Sequence, residues 1–221
     1  MSEAPPRQQV RVVAIDGPAG AGKSTLARLV AERLGLERLD TGAMYRAVAY
    51  CALARGIDPG DRQAVADLAR GLVLEVGDRV SVDGADATDA IRTPEVDAAV
   101  SIVAANPEVR AEMVRRQRAW VAAREGGVVE GRDIGTVVLP DAALKVYLTA
   151  SPDERAHRRA HERAGHDRHE VAMALALRDR LDSTREASPL PLPPDVADDA
   201  VVIDSTGRNA QDVLGEVLSW L

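Results

Sequence analysis

The sequence predicts an α/β fold, in which helices cover a parallel sheet and a small antiparallel meander is inserted between them. Short apolar runs alternate with amphipathic helical patterns along most of the 221 residues, and this alternation is typical of parallel sheets. Three short β-leaning runs between residues 72 and 88 interrupt it, separated by Gly-Asp and Asp-Gly turn signals. A chain of this length is expected to form one large domain or a core with inserted subdomains.

Four apolar runs are candidates for the strands of the main sheet, and a short fifth segment is expected to join them. The four runs are rich in valine, leucine or isoleucine, as expected for strands that are buried on both faces. The predicted strands are Val10–Ile15, a short one near Glu37–Leu39, Val128–Glu130, Leu144–Leu148 and Val201–Ile203. The predicted runs of the meander are Leu72–Val76, Arg79–Val82 and Ala85–Thr88.

Helical patterns fill most of the space between these runs. Apolar residues recur at helical spacing from Leu26 to Leu34, and Gly35 then provides a C-terminal stop. Asn106 is the expected cap of a later helix, with Pro107 at its first position. The other predicted helices are Thr41–Arg55, Pro107–Arg124, one opened by the capping box Ser151-Pro152-Asp153-Glu154, and Asn209–Leu221.

The segment after the first strand is a candidate phosphate-binding loop. It satisfies the pattern G-x-x-x-x-G-K-[ST], and its residues are Gly17, Pro18, Ala19, Gly20, Ala21, Gly22, Lys23, Ser24 and Thr25. Backbone N–H groups of such a loop and the positive end of the next helix bind phosphates, Lys23 adds a cation, and Ser24 offers a hydroxyl to Mg²⁺. The alternative is a glycine-rich strand-to-helix turn without a ligand. The correctly placed strand and helix favour a loop that binds ATP.

Composition excludes several classes of function. Aromatic residues make up 2% of the chain and phenylalanine is absent, which argues against recognition of single-stranded nucleic acid by stacking. A net charge of −7 argues against non-specific binding to duplexes. The single cysteine, Cys51, fits a reducing compartment, and no apolar run suits a signal peptide or a membrane span. We therefore expect a cytoplasmic monomer that acts on small molecules.

A basic segment between residues 155 and 185 has two interpretations. It is either a solvated helical face with ion pairs four residues apart or a lid whose arginines close over a polyphosphate, because the planar guanidinium binds phosphate oxygens in pairs. The phosphate loop in the same chain favours the lid. His157 and His161 have a spacing that could present two metal ligands, but no third ligand accompanies them. We expect exposed lid histidines rather than a zinc site.

Four elements beyond the phosphate loop resemble those of the bacterial cytidylate kinases, in the same order and at similar spacing from about Val10 to the C-terminus. The elements are Leu39-Asp40-Thr41-Gly42-Ala43-Met44-Tyr45-Arg46, Arg115-Arg116-Gln117-Arg118, Val128-Val129-Glu130-Gly131-Arg132-Asp133-Ile134-Gly135, and Arg178-Asp179-Arg180-Leu181-Asp182-Ser183-Thr184-Arg185 with Ser188-Pro189-Leu190. Glu130 stands where many relatives have aspartate. The resemblance implies a P-loop nucleoside monophosphate kinase fold. It also implies ATP-dependent phosphorylation of CMP and dCMP with Mg²⁺.

The resemblance also implies how the chain is divided. The core is expected at about 10–40, 107–154 and 184–221, the monophosphate-binding insert at about 41–106, and the lid at about 155–183. The acceptor-binding residues it implies are Thr41, Arg46, Ser101, Arg110, Arg132, Asp133, Arg178, Asp182 and Arg185. The catalytic residues it implies are Lys23, Arg132, Arg158 and Arg178, with Arg159 as the alternative to Arg158.

Individual roles follow from the same resemblance. Thr41, Arg46 and Arg132 are expected to hold the acceptor phosphate. Asp133 is expected to read the cytosine edge together with Arg110 and Ser101. Asp182 would bind the sugar hydroxyls, and Arg185 would help to keep the pyrimidine site closed. Arg178 and a lid-helix arginine would cover the transferring phosphoryl group. The position of the loop Asp204–Arg208, directly after the last strand, is the basis for expecting the adenine contacts there.

Two rival functions remain at this stage. The first is a related kinase with another acceptor, such as UMP, AMP, dTMP or shikimate, which the meander and the Gly131-Arg132-Asp133 element disfavour. The second is a nucleotide-dependent switch without transferase activity. The chain has no N-K-x-D element for reading guanine, and this weighs against a GTPase switch.

Overall fold

The computed structural model of the chain describes residues 11–162, 167–191 and 196–221. The strands are β1 (Val12–Asp16), β2 (Arg38–Asp40), β3 (Leu74–Val76), β4 (Val80–Val82), β5 (Ala85–Asp86), β6 (Gly127–Glu130), β7 (Leu144–Thr149) and β8 (Ala200–Asp204). The helices are α1 (Lys23–Leu34), α2 (Thr41–Ala54), α3 (Arg62–Gly71), α4 (Pro94–Ala105), α5 (Pro107–Arg124), α6 (Pro152–Glu162), α7 (Arg168–Thr184) and α8 (Ala210–Leu218).

The main sheet has five parallel strands in the order β2-β6-β1-β7-β8. This confirms the predicted α/β class and its parallel sheet. The first strand ends one residue later than predicted, because Asp16 is still paired with Tyr147 of β7. Val10, where that strand was predicted to begin, lies outside the described residues.

Helices pack on both faces of this sheet and form two cores. Val13 and Ile15 of β1 face a core built with α1 and α8, whereas Ala14 faces the core built with α2 to α5. Alternate residues of β1 are therefore buried on opposite sides, which is the reason for its continuous apolar sequence. The carboxyl ends of β1, β2 and β6 come together at one edge of the sheet, where open α/β sheets bind ligands.

The small antiparallel sheet has the order β3-β4-β5 and confirms the predicted meander, with strands shorter than expected. Asp83 and Gly84 both have positive φ, 51° and 82°, as a tight two-residue hairpin turn requires. The helices α3 and α4 beside this sheet were missed by the sequence analysis. Their caps were readable, because Asp61 accepts from the Ala64 N–H and Thr93 precedes Pro94 at the first helical position.

The basic segment forms two helices, α6 and α7. Ser151 caps α6 by accepting from the Glu154 N–H at 3.2 Å, but the reciprocal half of the predicted capping box is wrong. The Ser151 N–H donates to the Thr206 hydroxyl, and the Glu154 carboxylate accepts from Arg158. The last helix also differs from its prediction, since Asn209 is its cap and it ends at Leu218. Within the described ranges, no helix is long and apolar enough to cross a membrane.

Gly126 offers a test of how tightly β6 is joined to β1. Its φ is 154°, and a Cβ there would stand 2.1 Å from the backbone oxygen of Arg11. We expect Gly126→Ala to lower the free energy of unfolding by roughly 2–4 kcal/mol in urea titrations. Gly215→Ala in α8 is the matched control, because its Cβ would meet no atom within 4 Å and alanine favours the helix by up to about 1 kcal/mol. Equal stability of the two variants would contradict this packing.

Candidate active site

The phosphate loop joins β1 to α1 and packs against β7. Gly17 has a φ of 144°, and a Cβ there would stand 2.0 Å from the backbone oxygen of Leu148, so only glycine fits. Lys23 is buried at the start of α1, and its Nζ donates to the backbone oxygen of Pro18 at 2.8 Å. Burial, and next the charge of Arg132, hold the pKa of Lys23 well below its ordinary value. A bound phosphate would oppose that shift, because a nearby anion favours the ammonium form.

A cleft of about 590 Å³ lies between the phosphate loop, α6 and the loop after β8. Of the predicted loop residues, those from Gly20 to Thr25 line it, whereas Gly17, Pro18 and Ala19 do not. Arg158 lines the cleft as well, and donates to the backbone oxygen of Ser205 at 2.6 Å and to the Ala21 oxygen at 3.3 Å. We refer to this space as the donor cleft.

A second, smaller cavity of about 160 Å³ lies on the other side of the loop and is called the acceptor cavity below. The structure brings all of the predicted acceptor residues to its wall. They are Thr41, Arg46, Ser101, Arg110, Arg132, Asp133, Arg178, Asp182 and Arg185. Arg159 lines both cavities, whereas Arg158 lines only the donor cleft.

Glu130 lies at the end of β6, in the wall of the acceptor cavity. Its carboxylate accepts from the Ser24 hydroxyl at 2.8 Å, and its backbone oxygen accepts from the Thr41 hydroxyl at 2.7 Å. Burial, and next the charge of Asp40, raise the pKa of Glu130 to about 7. The other carboxylate oxygen, Oε1, makes no hydrogen bond to a described residue and lies 3.6 Å from Arg38. Glu130 therefore has an oxygen available beside the predicted Mg²⁺ ligand.

Arg46 is held at the cavity wall by Asp40, which ends β2. The two side chains form an ion pair at 3.0 Å, and Asp40 also caps α2 by accepting from the Ala43 N–H. Burial acts to raise the pKa of Asp40, but the charge of Arg46 and the other positive groups lower it overall. A Cβ at Gly42 would stand 3.0 Å from this carboxylate. The helix cap and the ion pair thus fix the guanidinium of Arg46 in place.

Asp133 and Arg110 form a buried ion pair with a short hydrogen bond deep in the cavity. Arg185 approaches the other Asp133 oxygen at 3.8 Å. Arg110 also lies over the ring of Tyr45, 5.7 Å from its centre. The two arginines predicted at the pyrimidine site therefore both approach the carboxylate of Asp133.

Arg132 and Asp182 form a second pair nearer the phosphate loop. Arg132 donates to the Asp182 carboxylate at 2.9 Å and to the backbone oxygen of Gly17 at 3.1 Å. Ser101 donates to the other Asp182 oxygen at 3.4 Å. Ser101 therefore lies beside the predicted sugar ligand as well as at the cavity wall.

Two arginines of the basic segment meet one carboxylate of α4. Arg159 donates to Asp97 at 3.0 Å, and Arg178 lies 3.6 Å from the same carboxylate. Burial, and next the charge of Arg132, lower the pKa of Arg178 to about 10, so that it stays protonated at neutral pH. Asp97 was not predicted, and nothing in its local sequence distinguishes it from an exposed helix residue.

Asp16 is a second residue that the sequence analysis missed. Its two carboxylate oxygens accept from the backbone N–H groups of Ile134 and Gly135, at 2.8 and 2.7 Å. These bonds hold the segment that carries Arg132 and Asp133. The position of Asp16 at the end of β1, directly before the phosphate loop, was the signal that could have identified it.

No cluster of three or more histidine, cysteine, aspartate or glutamate residues suited to a metal occurs within the described parts of the chain. His166 lies outside those parts, and His157 and His161 line the donor cleft. A divalent cation at the phosphate loop would therefore depend on phosphate oxygens in addition to Ser24 and Glu130.

A phosphate loop at the carboxyl end of the central strand, with an arginine-lined cavity beside it, defines a P-loop kinase of the nucleoside monophosphate kinase type. A family model described as "Cytidylate kinase" matches residues 13–221. A cytidylate kinase of Pelotomaculum thermopropionicum is 47% identical over 217 residues, 94% of each chain. One from Geobacillus kaustophilus is 49% identical over 216 residues, 93% of this chain and 94% of the relative. The chain belongs to the cytidylate kinase family.

Longer relatives and more distant structures also match. A bifunctional pantoate ligase/cytidylate kinase of Synechococcus sp. (strain WH7803) is 50% identical over 214 residues, which are 92% of this chain but 43% of the relative. The chain thus spans less than half of that protein. The solved structure of a gluconokinase from Sinorhizobium meliloti has a TM-score of 0.54 at 16% identity and covers 97% of this chain and 93% of its own. At that identity the likeness concerns the fold alone.

The buried carboxyl group of Asp16 predicts a pH dependence of stability. Burial raises its pKa from 3.8 to about 6, against the two backbone hydrogen bonds. Between these values the folded state binds the proton more tightly than the unfolded state, so stability falls as pH rises through this window. We expect the free energy of unfolding of the wild type, relative to Asp16→Asn, to fall by about 2 kcal/mol between pH 4.5 and pH 7. Urea titrations at both pH values measure it, and a constant difference would contradict the shift.

Proposed function

We propose that the chain transfers the γ-phosphoryl group of ATP directly to CMP or dCMP, which yields ADP and CDP or dCDP. A set of buried guanidinium nitrogens without acceptors carries this proposal. Arg46 Nε, Arg178 Nε and Arg185 Nη2 make no hydrogen bond to any described residue, and all three arginines line the acceptor cavity. Unsatisfied buried donors are costly, and the phosphate and base of a nucleotide would satisfy them. Membership of the cytidylate kinase family supports ATP as the donor.

The donor cleft is the proposed ATP site. Backbone N–H groups of the phosphate loop and the start of α1 would bind the β- and γ-phosphates. Ser205 and Arg208 line the same cleft and belong to the loop that is expected to contact adenine.

Magnesium fits the oxygen groups of Ser24 and Glu130, which lie side by side at the wall of the acceptor cavity. The Ser24 hydroxyl and the Glu130 carboxylate are hard ligands of the kind that Mg²⁺ prefers, and Glu130 Oε1 has no hydrogen bond to a described residue. We propose Ser24 as the direct ligand and Glu130 as its neighbour. When bound, the ion would neutralise phosphate charge.

The acceptor cavity is the proposed site of the monophosphate. Arg46 and Arg132 would bind its phosphate, and Asp133 would accept from the exocyclic amino group of cytosine. A uracil carbonyl at that place would meet the carboxylate without a proton between them. An unpaired buried acceptor costs about 1–3 kcal/mol, which corresponds to roughly a ten- to hundredfold preference for cytosine.

The chemistry needs positioning and cations rather than a base. The acceptor phosphate is already ionised, and charge that spreads over the transferring group is stabilised by nearby positive side chains. Lys23 and Arg132 would provide this positive charge, together with Arg178 and Arg159 from the proposed lid. Water must be excluded, or ATP would be hydrolysed. We therefore propose that α6 and α7 form a lid and that residues of about 41–106 form a monophosphate-binding insert that closes.

A monomer in the cytoplasm is the setting that we propose for this reaction. The lone cysteine, Cys51, is a buried free thiol, in keeping with a reducing compartment. A panel of acceptors tests the activity. ADP formation is measured with CMP, dCMP, UMP, AMP, dTMP and shikimate, and we expect CMP and dCMP to give the highest kcat/KM. ADP formation with another acceptor alone would overturn the proposal.

Lys23→Met is expected to lower kcat by a factor of about 10² or more, because the charge over the transferring phosphoryl group is lost. The coupled assay of ADP formation measures it. Lys145→Met is the matched control, since Lys145 lines neither cavity and pairs with Asp199 at 2.7 Å. The control should keep the wild-type kcat. Near-normal turnover of Lys23→Met would show that Lys23 has another role.

Asp133→Asn is expected to lower the ratio of kcat/KM for CMP to that for UMP by roughly ten- to hundredfold, because an amide can donate to a uracil carbonyl. Steady-state rates with both acceptors measure the ratio. Asp141→Asn, which changes an exposed turn residue outside the cavity, should leave the ratio unchanged. An unchanged ratio in Asp133→Asn would remove Asp133 from base recognition.

A further inference from the structure

The donor cleft and the acceptor cavity meet along a short boundary. The residues that line both are Gly20, Lys23, Ser24, Arg92 and Arg159. Gly20, Lys23 and Ser24 belong to the phosphate loop, and Arg159 belongs to α6. Arg92 comes from the opposite side, in the single 3₁₀ turn Ala90–Arg92 that precedes α4. A phosphoryl group that moves from one cavity to the other must pass these residues.

Arg92 differs from the other cations of this boundary in its bonding. Lys23 donates to the Pro18 oxygen and Arg159 donates to Asp97. The side chain of Arg92 makes no hydrogen bond or close ion pair with any residue that the structure describes, although its charge helps to lower the pKa of Asp40. The residue as a whole is exposed, and it lines both cavities. It is therefore a charge whose donors are free to bind a ligand.

The backbone that carries Arg92 is fixed on both sides. Ile91 is fully buried and its N–H donates to the Ala87 oxygen at 3.0 Å, while the Arg92 N–H donates to the Asp89 oxygen at 3.0 Å. Thr93 then caps α4 by accepting from Val96. The side chain is thus unpaired while its attachment is ordered, so that binding a ligand would order the side chain alone and not the backbone that carries it.

We propose that Arg92 is a catalytic residue that donates to the oxygens of the γ-phosphoryl group during its transfer. This inference rests on the proposed function. In the step, the bond from the γ-phosphorus to the β,γ-bridging oxygen of ATP breaks and a bond to an oxygen of the acceptor phosphate forms. Arg92 remains protonated throughout and stabilises the charge on the equatorial oxygens, for which its planar fork is suited.

The position of Arg92 gives the proposed insert a part in the chemistry. Lys23 approaches the boundary from the donor side, and Arg92 approaches it from the segment expected to bind the monophosphate. Binding of both nucleotides would exclude water from the guanidinium, and its attraction to phosphate would then increase. Transfer to the acceptor would thereby be favoured over hydrolysis.

The test compares Arg92→Met and Arg92→Lys with the wild type, using CMP, dCMP and ATP in the coupled assay. We expect Arg92→Met to lower kcat about 100-fold or more. The KM for ATP and the KM for the acceptor should each change by less than about threefold. Arg92→Lys should recover part of the loss, because it retains the charge without the fork. Arg79→Met is the matched control, since Arg79 is exposed in the turn between β3 and β4. It pairs with Asp86 and lines neither cavity.

Two results would overturn the role of Arg92. One is a kcat for Arg92→Met within about threefold of the wild type, and the other is an unchanged kcat with a raised KM, which would indicate ground-state binding only. Failure of the proposed function is a separate result, since the wild type would then form no CDP or dCDP. In that case, the same variants are compared with whichever acceptor supports ADP formation, and the same two criteria apply.

Discussion

Glu130 is the residue on which both halves of the site depend. It ends β6, the neighbour of the central strand β1, and is 3% exposed. Through two hydrogen bonds, of 2.8 and 2.7 Å, it holds Ser24 of α1 and Thr41 of α2. The helix behind the phosphate loop and the helix that carries Arg46 are thus tied to one buried residue. The distance between the donor cleft and the acceptor cavity follows from this connection.

The second organising feature is the balance of charge around the acceptor cavity. Each main guanidinium has a carboxylate partner: Arg46 has Asp40, Arg110 has Asp133, and Arg132 has Asp182. Breaking a buried pair by removing one partner is costly, and these pairs keep a crowded set of cations in place. Each pair leaves further donors on the arginine, since a guanidinium has five N–H groups. The same side chains can therefore support the fold and bind an anionic nucleotide.

The sequence predicted the parts of this molecule that have local patterns. The parallel sheet, the meander and the Asn106 cap follow from periodicity and turn chemistry, and the structure confirms them. The acceptor residues followed from a family resemblance, because their shared cavity depends on contacts between distant segments. Asp16 and Ile134, which are 118 positions apart, show why such partners could not be read from either local sequence. The caps of α3 and α4, Asp61 and Thr93, were readable, but the β-leaning runs that lie between the two helices gave the stronger local pattern.

The central claim is that the two cavities form one site in which phosphate passes directly between nucleotides. The most direct test follows the label from ATP carrying ³²P in the γ-phosphate, incubated with the protein, Mg²⁺ and CMP. If the two cavities form one site, the label appears in CDP as ADP forms, with little release of inorganic phosphate. Release of the label mainly as inorganic phosphate, at a rate independent of CMP, would contradict a two-nucleotide site.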